Sequence, residues 1–154
     1  MKNPILDFAR QFNAEIELDN ESTFENEGRY FLLKDDLRKL LLSNFFFVGT
    51  YLGKSRKSKF FPSFSLLRVI ARKQANKIVV DEKTEWLFIC GRDVFRQGIT
   101  EVQGTARKGG YVLVMNRFDE CLGFGKVLFD LDKQAKGVIV KNISDVGDFL
   151  RREQ

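Results

Sequence analysis

The sequence predicts an α+β protein in two units, an N-terminal α/β sandwich-like domain with an antiparallel sheet followed by a small mixed β pseudobarrel. Three observations predict it. Hydrophobic residues make up 44% of the 154 residues and include 16 Phe, enough for packed cores rather than a disordered chain. Glycines cluster in the C-terminal half at Gly91 and Gly98, Gly109-Gly110, and Gly123-Phe-Gly125. Glycine serves where φ is positive or backbones approach closely, so this punctuation suits a curved, tightly turned sheet. Composition shifts near Ala75-Asn76, which divides the chain into residues 1–76 and 77–154.

The elements follow in order. Pro4 to Gln11 reads as a short helix, Ala14 to Leu18 alternates like a strand, and Arg29 to Leu33 is a second strand. Lys34 to Leu42 carries a Leu37, Leu40, Leu41 face with Asp35 and Asp36 in its first turn, where carboxylates favour the helix dipole. Phe45 to Gly53 is aromatic and β-branched, which suits a central strand; the Lys/Ser/Arg segment then turns the chain into a strand near Phe60. Ser63 can cap a helix from about Phe64 to Ala75, with Leu66, Leu67 and Ile70 inward and Arg68, Arg72 and Lys73 outward. In the second unit Lys77 to Asp81 and Trp86 to Cys90 read as strands and Arg92 to Gln97 as a helix. Tyr111 to Asn116, Leu122 to Phe129 and Gly137 to Lys141 read as further strands, and Asp145 to Arg152 as a closing helical turn. No repeat or Pro/Ser-rich linker separates the units, so they are expected to touch and move little. The rings of Phe45 to Phe47 and of Phe60 and Phe61 are assigned to the core.

Charge is distributed unevenly. Residues 1–36 hold nine acids against four bases, whereas residues 37–80 hold ten Lys or Arg and no acid; residues 81–154 balance at twelve of each. A span of cations with no local acid must pair with the acidic segment, another molecule or water, and nucleic-acid phosphate is the obvious external partner. Solvated helix faces are the better explanation for Arg38, Lys39, Arg68, Arg72, Lys73 and Lys77. Lys54, Arg56, Lys57 and Lys59 are four cations within six residues, joined by serines, and suit a phosphate-binding loop better.

Catalysis has little to work with. There is no histidine, and Cys90 and Cys121 lie in apolar surroundings without C-x-x-C spacing, so a zinc finger and His-dependent chemistry are excluded and both thiols are expected to be buried and free. The carboxylate pairs Asp35/Asp36, Asp81/Glu82, Asp119/Glu120 and Asp130/Asp132 are better explained by helix and turn chemistry. Gly123-x-Gly125 lacks the third glycine and the helix of a dinucleotide loop. No catalytic residue, metal site or cofactor is expected. No apolar run is long enough to span a bilayer and the first residues lack the order of a signal peptide, so the expectation is a soluble, intracellular protein.

The order Gly91 to Ile99, Gly109-Gly110-Tyr-Val-Leu-Val114, Leu122-Gly123-Phe124-Gly125-Lys126 resembles the PUA domain, a small RNA-binding pseudobarrel. With Gly49-Thr50-Tyr51-Leu52-Gly53-Lys54 and Ser144-Asp145-Val146-Gly147-Asp148-Phe149-Leu150-Arg151 added in register, residues 28 to 152 resemble the Nip-seven family of large-subunit ribosome biogenesis factors. The resemblance implies a non-enzymatic factor that binds ribosomal RNA or its precursor through a basic face of the C-terminal domain. Lys126, Lys133, Lys136, Lys141, Arg151 and Arg152 are the positions that could serve. Lys54, Arg56, Lys57, Lys59, Arg92 and Arg96 are secondary, with Arg107 and Lys108 beside them. It also allows a second class of function, an adaptor whose N-terminal domain docks other ribosome assembly proteins. The expected protein is a monomer without membrane contact, cytoplasmic if archaeal, which is preferred, and nucleolar or nuclear if eukaryotic.

Overall fold

The computed structural model describes residues 3–18, 23–33, 49–133 and 136–152. The first helix, α1 (Pro4–Arg10), starts with its Asn3 cap accepting from the Ile5 N–H at 3.0 Å and buries Ile5, Phe8 and Ala9. Beyond it Phe12, Ala14 and Ile16 are buried between exposed neighbours, but Ala14 to Leu18 is not a strand. Its alternation is satisfied by lying along the core instead of in a ladder.

A hairpin follows, β1 (Thr23–Asn26) and β2 (Arg29–Leu32), with Glu27 and Gly28 both at positive φ, the turn whose twist matches paired strands. The helix expected over Lys34 to Leu42, and Phe45 to Phe47 with it, lie outside the described residues. Of the strand predicted over Phe45 to Gly53, residues 45–48 lie outside the described residues; β3 (Thr50–Arg56) runs past the predicted end, so Lys54 and Arg56 are strand residues and Lys57 and Ser58 make the turn. β4 (Lys59–Pro62) completes an antiparallel sheet ordered β1-β2-β3-β4.

Ser63 then caps α2 (Phe64–Ala71): its Oγ accepts from the Leu66 N–H at 3.1 Å and donates to the Tyr51 carbonyl at 2.6 Å. Leu66, Leu67 and Ile70 are buried as their spacing predicts, although the helix ends four residues before Ala75.

The second half opens with β5 (Lys77–Val80). The strand predicted at Trp86 to Cys90 is instead part of helix α3 (Glu82–Ile89), capped by the Asp81 carboxylate on the Thr84 N–H at 2.8 Å. An aromatic-rich run looked like a buried strand, but α3 buries only Thr84 and Phe88, four residues apart, and leaves Trp86 65% exposed. The helix predicted at Arg92 to Gln97 is instead the short strand β6 (Val94–Phe95) and a 3₁₀ turn, Arg96–Gly98. There follow β7 (Ile99–Gln103), β8 (Tyr111–Met115), β9 (Cys121–Val127), β10 (Val138–Asp145) and the helix α4 (Val146–Arg152).

These six strands make one mixed sheet ordered β6-β10-β9-β8-β5-β7, antiparallel throughout except for β5 beside β8. One side of it closes over Val112, Val114, Leu122, Ile139 and Val140, with Phe88 of α3 among them. The other side carries Leu113, Met115 and Phe124 into a second cluster shared with Phe8, Phe12, Leu52 and the apolar face of α2. The Phe124 ring centroid lies 5.5 Å from Phe8, 5.6 Å from Phe12 and 5.7 Å from Tyr111, all edge to face. The crossing between the two sheets is also hydrogen-bonded. Asn76 donates to the Phe12 carbonyl at 2.7 Å, accepts from the Leu113 N–H at 2.9 Å, and takes the Thr105 N–H on its side chain at 3.0 Å. The buried Lys77 ammonium donates to the Ala71 carbonyl at the C-terminus of α2, where the helix dipole favours a cation.

The two thiols differ. Cys121 is buried, as expected, and burial pushes its thiol up to about 11; Cys90 is exposed at the end of α3, which corrects the expectation for it. A thiol reagent near neutral pH is therefore expected to modify Cys90 at once and Cys121 only after unfolding, because the thiolate is the nucleophile. Mass spectrometry of briefly alkylated native protein checks this, and rapid double labelling would contradict it.

Candidate nucleic-acid interface

Strand register decides where the cations stand. On the six-stranded sheet Lys126 of β9 is paired with Lys141 of β10 on one side and with Tyr111 of β8 on the other, so all three side chains share a face. It is the face whose next row, Leu113 and Phe124, packs against the N-terminal half. Lys126 and Lys141 are both exposed.

The four-stranded sheet repeats the arrangement. Arg29 of β2 is paired with Lys54 of β3, and Arg56 of β3 with Lys59 of β4. Lys54 is in turn paired with Phe61, whose ring lies 5.5 Å beneath the Lys59 ammonium. Tyr30 and Phe60 take the other face, toward the core, so Arg29, Lys54, Arg56 and Lys59 form one outward ridge. Directly opposed residues in a ladder bring their Cβ atoms to about 5 Å, and like charges there are destabilising. Among the described residues, Lys54, Arg56, Lys59, Lys126 and Lys141 have no carboxylate within ion-pair distance.

Other predicted site residues are occupied elsewhere. Lys133 pairs with Asp130 at 3.4 Å, and Asp130 also accepts the Lys108 N–H at 2.8 Å; these bonds hold its carboxyl below the usual range. Arg151 donates to the Ile89 carbonyl at 3.3 Å and to the buried Asp145 at 3.4 Å, tying α4 to α3. Arg152 ends α4, and its side chain lies outside the described residues. Lys136 is exposed just before β10, and Lys57 sits at the β3–β4 turn with φ 49°. Arg92 is exposed near β6, with its carbonyl accepting from Asn142 at 3.4 Å, while Arg96 is half-buried in the 3₁₀ turn. The structure thus gathers Lys126 with Lys141, and Lys54 with Arg56 and Lys59, and spends Lys133 and Arg151 on structure.

Between the two sheets runs a groove of about 510 Å³. Phe8 of α1, Gln11 just past its end, and Phe60 and Phe61 of β4 line one side, and Tyr111, Phe124 and Ile143 the other. Sequence reasoning missed Arg29 and Tyr111, whose place depends on pairing register. It also missed the outward position of Trp86 and Phe118, each 65% exposed.

The family model for the UPF0113 PUA domain matches residues 76–154, half of the chain. The chain belongs to the UPF0113 PUA domain family. A UPF0113 protein of Archaeoglobus fulgidus is 34% identical over 89 residues, which cover 55% of this chain and 51% of that protein. The chain thus spans about half the length of the curated relative it matches. Among solved structures, a conserved PUA domain protein from Thermoplasma acidophilum superposes with a TM-score of 0.63 over 97% of this chain and 91% of its own, at 18% identity. A PUA domain from Aeropyrum pernix, solved as a tartrate complex, gives 0.63 over 95% and 82% at 13% identity. A hypothetical protein from Pyrococcus horikoshii gives 0.56 over 85% and 77% at 21% identity. These likenesses are of fold, and they extend over the N-terminal half as well as the UPF0113 PUA domain.

Proposed function

We propose that this UPF0113 PUA domain protein is a non-enzymatic RNA-binding factor, and that its RNA is ribosomal RNA or its precursor during large-subunit assembly. The observation that carries RNA binding is the two like-charged register pairs, Lys126 with Lys141 and Arg56 with Lys59, with Lys54 on the same outward face as Arg56. Each places two cations side by side at an energetic cost in the free protein, and a phosphate bridging them relieves it. The ribosomal assignment rests on the resemblance to the Nip-seven family, and with it goes a cytoplasmic setting in an archaeal cell. Among the described residues no helix is long and apolar enough to cross a membrane.

The absence of catalysis is part of the same reading. The sequence has no histidine, and three of its carboxylates have structural work: Asp81 caps α3, Asp130 holds Lys108 and Lys133, and Asp145 accepts from Asn142, the Asp148 N–H and Arg151.

Filter binding of oligouridylate over a series of salt concentrations tests the RNA reading. Each phosphate contact to a single strand contributes about 0.7 to the slope of log K against log salt. Lys126→Ala with Lys141→Ala should flatten it by roughly 1.4, and Lys54→Ala, Arg56→Ala and Lys59→Ala together by roughly 2. Slopes equal to wild type in both variants would sink the reading.

A second reading, a protein-docking adaptor, is favoured by one feature. Buried Asn116 takes the Phe118 and Glu120 N–H groups on its Oδ1 at 3.0 and 2.9 Å and donates to Glu85 at 3.1 Å. It thereby fixes the β8–β9 tip with the Phe118 ring in the open, beside a groove that Trp86 also lines. On that reading the docking surface is on the second half of the chain, not the N-terminal domain that the sequence suggested.

A further inference from the structure

We infer that the groove between the two sheets is a binding site for an unpaired nucleobase, which would be held between aromatic side chains contributed by both halves of the chain. The inference rests on the RNA-binding reading above and adds to it a contact that phosphate neutralisation does not supply.

Three properties of the groove point there. Its walls are rings: Phe60 and Tyr111 are half-buried, and they stand on Phe8 and Phe124, which are almost wholly buried. The Phe8 ring lies 5.5 Å from both Phe60 and Phe124, and Tyr111 5.7 Å from Phe124, so the lining is one packed aromatic assembly rather than loose side chains. A rigid ring with one face open is what a base needs, since base–aromatic stacking tolerates any sequence.

The second property is charge. Lys59 lines one wall, and Tyr111 on the other is the register partner of Lys126, which is itself paired with Lys141. A nucleotide whose base enters the groove therefore finds cations for its phosphates on either side. Asp7 is the one carboxylate among the lining residues, and it is paired with Arg10 at 3.1 Å.

The third is size and polarity. About 510 Å³ falls within the usual range for small-ligand pockets, roughly 300–1,000 Å³. Gln11, Ser58 and Ser144 line it as well, and an amide and two hydroxyls can meet the donors and acceptors of any base edge.

Stacking and phosphate contact leave different signatures. Losing one stacked base lowers affinity without changing the number of counterions released, whereas losing a lysine flattens the salt slope. The experiment is filter binding of a twelve-residue oligouridylate to wild type, Tyr111→Phe and Tyr111→Leu. It is paired with ultraviolet crosslinking of the same oligomer carrying 4-thiouridine to wild-type protein. Tyr111→Phe is expected to bind as wild type, and Tyr111→Leu roughly tenfold more weakly with an unchanged salt slope. The crosslinked peptides are expected to contain Phe60, Phe61 or Tyr111. If Tyr111→Leu is too unstable to assay, the wild-type crosslinks decide alone. RNA binding with the salt slope predicted above, but with unaltered affinity in Tyr111→Leu or crosslinks only outside the groove, overturns the base site and leaves the phosphate reading standing. No RNA binding by wild type overturns both.

Discussion

Phe124→Ala is expected to destabilise the whole protein by ~3–5 kcal/mol, the usual cost of deleting a buried phenyl group. The ring is 4% exposed and meets Phe8, Phe12 and Tyr111 edge to face at 5.5–5.7 Å. Its three ring neighbours come from α1 (Phe8), from the segment just past it (Phe12) and from β8 (Tyr111), so the cavity opens where the halves of the chain meet. Urea unfolding followed by circular dichroism checks this. The midpoint should fall sharply while Lys126→Ala, at an exposed position, stays within about 0.5 kcal/mol of wild type. A loss below about 1 kcal/mol for Phe124→Ala would mean that the two halves do not depend on this contact.

Gly123→Ala is expected to cost ~3 kcal/mol or more. Gly123 sits at φ +147°, and a Cβ there would lie 2.0 Å from the Ser144 carbonyl oxygen and 2.8 Å from the Asp145 Cα, both backbone atoms of the neighbouring strand. The strand must therefore move, and the β9–β10 pairing that aligns Lys126 with Lys141 moves with it. Gly109 is the control. It has φ +86°, but a Cβ there would meet nothing within 4 Å, so Gly109→Ala should cost only about 1 kcal/mol, from backbone strain alone. Equal thermal shifts in the two variants would contradict the steric argument.

Much of the fold can be read in the sequence because its signals are local. Pro4 and Ser63 announce helix starts, the apolar residues at 66, 67 and 70 define a buried face, and the runs from Tyr111 and from Leu122 are apolar enough to be inner strands. The errors have physical causes too. Trp86 to Cys90 has strand-like composition, yet the Asp81 cap and the burial of Thr84 and Phe88 make it a helix, so tertiary packing overrides propensity. The Asn26 to Arg29 turn uses Glu-Gly in place of the commoner Asn-Gly, which hid β1. The candidate site was legible as an inventory of cations but not as an arrangement. That Lys126 faces Lys141, or that Lys133 and Arg151 are consumed by Asp130 and Asp145, follows from pairing and loop geometry that residue spacing does not contain.

The cation pairs give ionic strength two opposite roles. In the free protein, added salt screens Lys126 from Lys141 and Arg56 from Lys59, which eases a repulsion built into the ladders and favours the folded chain. In the RNA complex proposed above, the same salt would compete with phosphate for those ammonium and guanidinium groups and favour release. On the proposed reading, conditions that make the protein most comfortable alone are thus the ones in which it would hold a polyanion least, and the repulsion within the ladders would be relaxed by the phosphates that neutralise it.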